Sequence, residues 1–95
     1  MTDEPTIVHD PDETRYEIHV GGQRVGLTHY RVTPTAWVFD HTEIDDAHEG
    51  EGLGSRLARG ALDDVRAQGH RVVAECPFIR RWIAEHADYQ DLLAT

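Results

Sequence analysis

The sequence predicts a mixed α+β fold, an antiparallel β meander followed by helix, strand and helix. Three observations predict it. Apolar and polar residues alternate early, with Tyr16, Ile18 and Val20 set against Arg15, Glu17 and His19. The period then becomes helical at Leu53, Leu57, Ala61, Leu62 and Val65. A short apolar run, Val72, Val73 and Ala74, separates that helix from a second amphipathic stretch.

Taken in order, Ile7 and Val8 form a short first strand, ended by Asp10, Pro11 and Asp12. The alternating segment 15–20 is a half-buried second strand. Gly21 and Gly22 are a hairpin signal, because both central residues of the favoured turn need φ above zero. Segment 23–32 returns with Val25, Leu27, Tyr30 and Val32, and Thr33, Pro34 and Thr35 turn the chain again. Segment 36–44 is the fourth strand, with Trp37, Val38 and Phe39 at its start.

The first helix follows a glycine loop, and Arg56, Arg59, Asp63 and Arg66 face away from its apolar stripe. Gly69 stands where a left-handed cap belongs. Segment 71–75 is a short strand, and the crossover from 36–44 is long enough for a parallel pair. Pro77 suits the first turn of the second helix. Its inner face would carry Phe78, Ile79, Trp82, Ile83 and His86, with 87–95 a short final turn or tail. No repeat, linker or low-complexity stretch divides the chain, so one domain over 1–95 is expected.

The chain has 95 residues, 18 acidic against nine basic, for a net charge of −9. All nine basic residues are arginine. Nonspecific binding to nucleic acid or an anionic membrane needs basic patches, so this balance argues against both. It mildly favours cationic partners. No apolar run approaches the roughly 20 residues of a membrane span. The acidic start, MTDEPTIVHD, lacks the basic-then-apolar pattern of a signal peptide, so a cytoplasmic location is expected. The single cysteine, Cys76, rules out an internal disulfide and a cysteine-rich zinc site. The seven histidines are scattered without an i, i+4 pair, and no metal is expected.

The loop HEGEGLGS, residues 48–55, places Gly50, Gly52 and Gly54 at alternate positions before the helix. A helix N-terminus offers unpaired N–H groups and the positive end of the dipole. Glycines let a phosphate approach those groups and permit an anion nest. A nucleotide P-loop requires lysine, which the chain lacks. A dinucleotide fingerprint requires G-x-G-x-x-G near the start of a βαβ unit, and the spacing here is G-x-G-x-G after an antiparallel meander. A tight connection without a ligand is the alternative.

The loop, in this strand–loop–helix setting, resembles motif A of the GNAT acetyltransferases. With HTEI at 41–44 and ECPFIRRWIAEH at 75–86, the chain looks like the small YjdJ-type members over residues 15–92. Gly52 and Gly54 fall on that motif's two glycines, and Glu49 stands where arginine or glutamine is usual. The resemblance implies splayed strands 4 and 5 with acetyl-CoA or CoA between them. It implies a diphosphate on Glu49, Gly50, Glu51, Gly52, Leu53, Gly54 and Ser55, and a pantetheine arm along Glu43 and Ile44. Pro77 and Arg81 would flank the cofactor. Acetyl would pass to an unidentified amine, a small molecule or a protein lysine, directly or through an acetyl-cysteine. The alternative is a CoA-binding module or sensor with little catalysis.

Cys76 sits at the expected start of the second helix, where the dipole favours a thiolate. The resemblance makes it the candidate nucleophile; a buried inert cysteine is the other reading. His41 and Glu43 share one strand face and are candidate bases for an attacking amine, or simply a solvated strand end. Arg56, Arg80 and Arg81 lie within reach of phosphates, or form solvent-facing stripes, with Arg81 and Glu85 paired at i, i+4.

Overall fold

The computed structural model describes residues 4–94; residues 1–3 and Thr95, included in the expected domain and N-terminal reading, lie outside the described residues. Five strands form one sheet in sequence order: β1 (Thr6–Asp10), β2 (Arg15–Val20), β3 (Gln23–Val32), β4 (Trp37–Ile44) and β5 (Val72–Ala74). The first four are antiparallel and β5 joins β4 in parallel, as the order of elements requires. Helix α1 (Leu53–Ala67) is the crossover, and α2 (Pro77–Ala84) follows β5.

The turns follow from their residues. Gly21 and Gly22 have φ of 59° and 80°, the pair of positive angles a two-residue hairpin needs. Helix α1 ends on Gly69 (φ 81°), with Gly69 N–H donating to Arg66 and His70 N–H to Val65. That is the doubled bond pattern of a glycine-terminated helix.

The core lies between the sheet and the helices. Tyr16, Ile18, Tyr30 and Phe39 meet Leu57, Ala58, Ala61 and Leu62 of α1, with Ile79 and Ile83 of α2 in the same cluster. On the opposite face, Glu17 is buried among Arg15 (2.7 Å) and His19 (2.9 Å), with Arg24 at 3.7 Å. The hydrogen bond from His19, then that from Arg15, hold the Glu17 carboxyl below its usual value of 4.5. A lowered folded-state value contributes stability above the unfolded value that is lost as pH falls through the folded one. We expect Glu17→Gln to flatten the acid side of the stability curve below about pH 4.5, measured by urea titration between neutral and acid pH.

Two features depart from the sequence reading. Arg59, Asp63 and Arg66 do not simply face solvent. They hold the C-terminal segment, where a 3₁₀ helix (Ala87–Leu92) forms, the first of the two expected readings, a final turn or a tail. The Tyr89 hydroxyl donates to Asp63 at 2.6 Å, Arg59 lies over the Tyr89 ring, and Arg66 grips Asp91 at 2.7 and 3.0 Å. Leu93 then adds a parallel bridge to Val72. The second feature is Gly60, inside α1. A Cβ there would lie 2.5 Å from Ile7 Cγ1 and 3.1 Å from Ile7 Cβ, so β1 approaches α1 over bare backbone. Gly60→Ala gains about 1 kcal/mol of helix propensity but overpacks by about 1–3 kcal/mol. A net loss of stability is expected, read from the urea midpoint.

Candidate functional site

The site begins where two strands part. Strands β4 and β5 pair only over Trp37↔Val72, Val38↔Val73 and Phe39↔Ala74. The Phe39 carbonyl then accepts from both Glu75 N–H and Cys76 N–H, each at 2.9 Å. Opposite β3 the register slips: Tyr30 pairs with Phe39 and His29 with His41, leaving Asp40 as an extra residue. Such a bulge bends its strand. Asp40 is fixed by His29 Nδ1 at 2.8 Å. Residues 40–44 therefore keep β3 on one side and have no strand partner on the other.

A cleft of about 740 Å³ opens against this free edge. Thr42, Glu43 and Ile44 form one wall, and the glycine loop with the first turn of α1 forms another. Phe78, Arg81, Trp82, Glu85 and His86 of α2 and its C-terminal turn close the third side.

The loop is built by its glycines in two different ways. Gly50 and Gly52 have φ of 84° and 76°, conformations that L side chains rarely adopt, and a Cβ on either would meet nothing within 4 Å. Gly52 is the N-cap of α1, and the first intrahelical bond runs from Arg56 N–H to its carbonyl at 3.2 Å. At Gly54 the feature is proximity instead, since a Cβ there would lie 2.9 Å from Cζ, the far end of the exposed Phe78 ring. The main-chain N–H groups of residues 50–55 have no acceptor among the described residues. Loop and helix mouth together thus present a run of free donors at the positive end of a helix. Those donors fit the diphosphate of a coenzyme A carrier, and the unpaired edge of β4 fits an amide-bearing arm.

Most of the expected residues meet here. Glu43, Ile44, Glu49, Gly50, Gly52, Leu53, Gly54, Ser55 and Arg81 line the cleft. Glu51 and Pro77, also expected at the cofactor, are not among the lining residues, and the Glu51 carboxylate instead accepts from His48 Nδ1 at 3.0 Å. His41 and Glu43 are joined at 3.1 Å and each side chain is 60% exposed. Cys76 is buried at 4% exposure, and its thiol donates to Thr42 Oγ1 at 3.3 Å. Thr42 is shared with the fully buried Thr28 at 2.8 Å. The thiol is therefore one side chain removed from the cleft. Arg80 donates to the Ala74 and Glu75 carbonyls, and Arg56 lines a separate groove beside Ile7.

Phe78 corrects the sequence reading. It is 41% exposed and lies against Gly54, not on the inner face of α2. Thr42, His48, Trp82, Glu85 and His86 are further cleft residues that sequence reasoning did not place there. The stripe Phe78, Arg81, Trp82 and Glu85, spaced i, i+3, i+4 and i+7, was the available signal. Ser55 Oγ accepts from Trp82 Nε1 at 2.8 Å, tying α2 to the helix mouth.

Comparison with known proteins decides the family. The model of the GCN5-related N-acetyltransferases matches residues 15–92. This chain belongs to that family. The GNAT chain is 27% identical to mouse protein NATD1 over 82 residues, which is 84% of this chain and 74% of the relative. Human protein NATD1 is also 27% identical, over 84% of this chain and 73% of its own length. In fold, the GNAT chain is similar to a GCN5-like protein from Staphylococcus aureus, with a TM-score of 0.72 and 23% identity, over 99% of this chain and 91% of that one. It is also similar to the ribosomal-protein-alanine N-acetyltransferase of Brucella melitensis biovar Abortus 2308, with a TM-score of 0.60 and 20% identity, over 85% of this chain and 61% of that one.

Proposed function

We propose that this GNAT chain binds acetyl-CoA in the cleft and transfers acetyl to an amine. The observation that carries the reading is the run of unpaired amides at residues 50–55, set beside the free edge of β4. When bound, the carrier supplies an acetyl group activated as a thioester. The loop amides hold its diphosphate by charge-assisted hydrogen bonds. The main chain of Glu43 and Ile44 pairs with the pantetheine arm. The His41–Glu43 pair, open to solvent beside the cleft, takes the proton from the incoming amine.

Direct transfer is favoured over an acetyl-cysteine, because the Cys76 thiol is buried and already bonded to Thr42. We expect Cys76→Ala to keep turnover, and intact mass after incubation with acetyl-CoA to show no added acetyl on the wild type. An acetyl group present on wild type and missing from Cys76→Ala would establish the covalent route instead.

The first test of the whole reading is a thermal-shift screen with CoA and acetyl-CoA. Stabilisation by both is expected; no shift with either would contradict it. The exposed position of His41 and Glu43 also fits a CoA-binding module with little catalysis. Binding without turnover on any of a panel of amines would select that second reading.

A further inference from the structure

The cleft that offers free amides to a polyanion is walled by carboxylates. Between β4 and α1, residues 45–51 carry Asp45, Asp46, Glu49 and Glu51. Glu43, Glu49 and Glu85 line the cleft itself. Arg81 is the one arginine among its lining residues; its side chain is 82% exposed and already 3.4 Å from Glu85. Glu51 is partnered by His48, but the Glu49 side chain has no hydrogen bond or ion pair among the described residues. The whole chain adds a net charge of −9 without a single lysine.

A helix mouth supplies only about half a positive charge. Coenzyme A carries a diphosphate and a 3′-phosphate, whereas dephospho-coenzyme A carries the diphosphate alone. Short-range hydrogen bonds to the amides and long-range repulsion from the carboxylates therefore act in opposite directions on the same ligand. Salt removes the second far more than the first.

We propose that Glu49 and Glu51 are specificity-determining residues that cap the negative charge of the bound carrier, so that dephospho-coenzyme A binds at least as tightly as coenzyme A and added salt strengthens binding. This rests on the cleft being a coenzyme A site. Glu49 and Glu51 are the chain neighbours of Gly50 and Gly52, and their charges, added to those of Glu43 and Glu85 in the cleft lining, repel each further phosphate. Phosphate sites built from lysine and arginine show the opposite salt slope, because there screening weakens attraction.

Calorimetry with coenzyme A and dephospho-coenzyme A at 20 and 500 mM KCl tests this directly. Over that range the screening length falls from about 20 Å to about 4 Å. Coenzyme A affinity is expected to rise about three- to tenfold, and dephospho-coenzyme A affinity by less. The Glu49→Gln, Glu51→Gln double variant should bind coenzyme A more tightly than wild type at 20 mM and show a flattened slope. Wild-type binding that weakens with salt, or favours coenzyme A several-fold at 20 mM, overturns the inference and leaves the site assignment standing. Binding of neither carrier at either salt overturns both.

Discussion

Gly52→Val is expected to abolish the thermal stabilisation proposed for coenzyme A, while leaving the protein folded. Gly52 sits at φ 76°, ψ 13° as the N-cap of α1. A β-branched residue in that region is strained by about 1–2 kcal/mol and relieves the strain by rotating the backbone. The rotation turns the amides on either side of residue 52 out of the cradle. A hydrogen bond to a charged group contributes about 1.5–3 kcal/mol, so two misdirected amides weaken binding on the order of 100-fold. The effect is conformational, since a Cβ at Gly52 meets nothing within 4 Å. Gly52→Asn separates the causes, because asparagine tolerates the left-handed region and should retain most of the binding. Isothermal titration of both variants, beside far-ultraviolet circular dichroism, checks the pair.

The largest effect on stability is expected from Phe39→Ala. Phe39 is fully buried, with its ring 5.5 Å from that of Tyr30 and 6.3 Å from that of Tyr16. Truncating a buried phenylalanine costs about 3–5 kcal/mol, against about 5–15 kcal/mol for a whole domain. The same residue is the last rung between β4 and β5, and its carbonyl holds both Glu75 and Cys76. Its loss therefore loosens the point from which the cleft opens. The urea midpoint should fall steeply, and Phe39→Leu should lose clearly less because it leaves a smaller cavity. Equal stability of wild type and Phe39→Ala would show that the core does not sit where the sheet and α1 meet.

Much of this arrangement was legible because local chemistry dictated it. Alternation placed Tyr16 and Ile18 inward, the glycine pair made the hairpin, and Gly69 closed α1. The loop at 50–55 was legible for the same reason: Gly50 and Gly52 are there for their backbone angles. What stayed hidden depends on distant partners. The extra residue Asp40 follows from the register between β3 and β4, and nothing in its neighbours announces it. Gly54 reads as room for a ligand, yet its immediate neighbour is Phe78, 24 positions away in the chain. The segment after α2 reads only as a short final turn or tail, and it is Arg59, Asp63 and Arg66 on α1 that explain why Tyr89 and Asp91 hold it in place. Thr42 and Cys76 likewise meet only because β5 ends beside β4.

The most direct measurement is a titration of ¹⁵N-labelled protein with coenzyme A, following main-chain amide resonances. If the loop amides cradle the diphosphate, those of Gly50, Gly52, Gly54 and Ser55 should move most, with Gly21, Gly22 and Gly69 unmoved. Saturating coenzyme A that leaves the residue 50–55 amides in place, or shifts a different part of the surface, would contradict it.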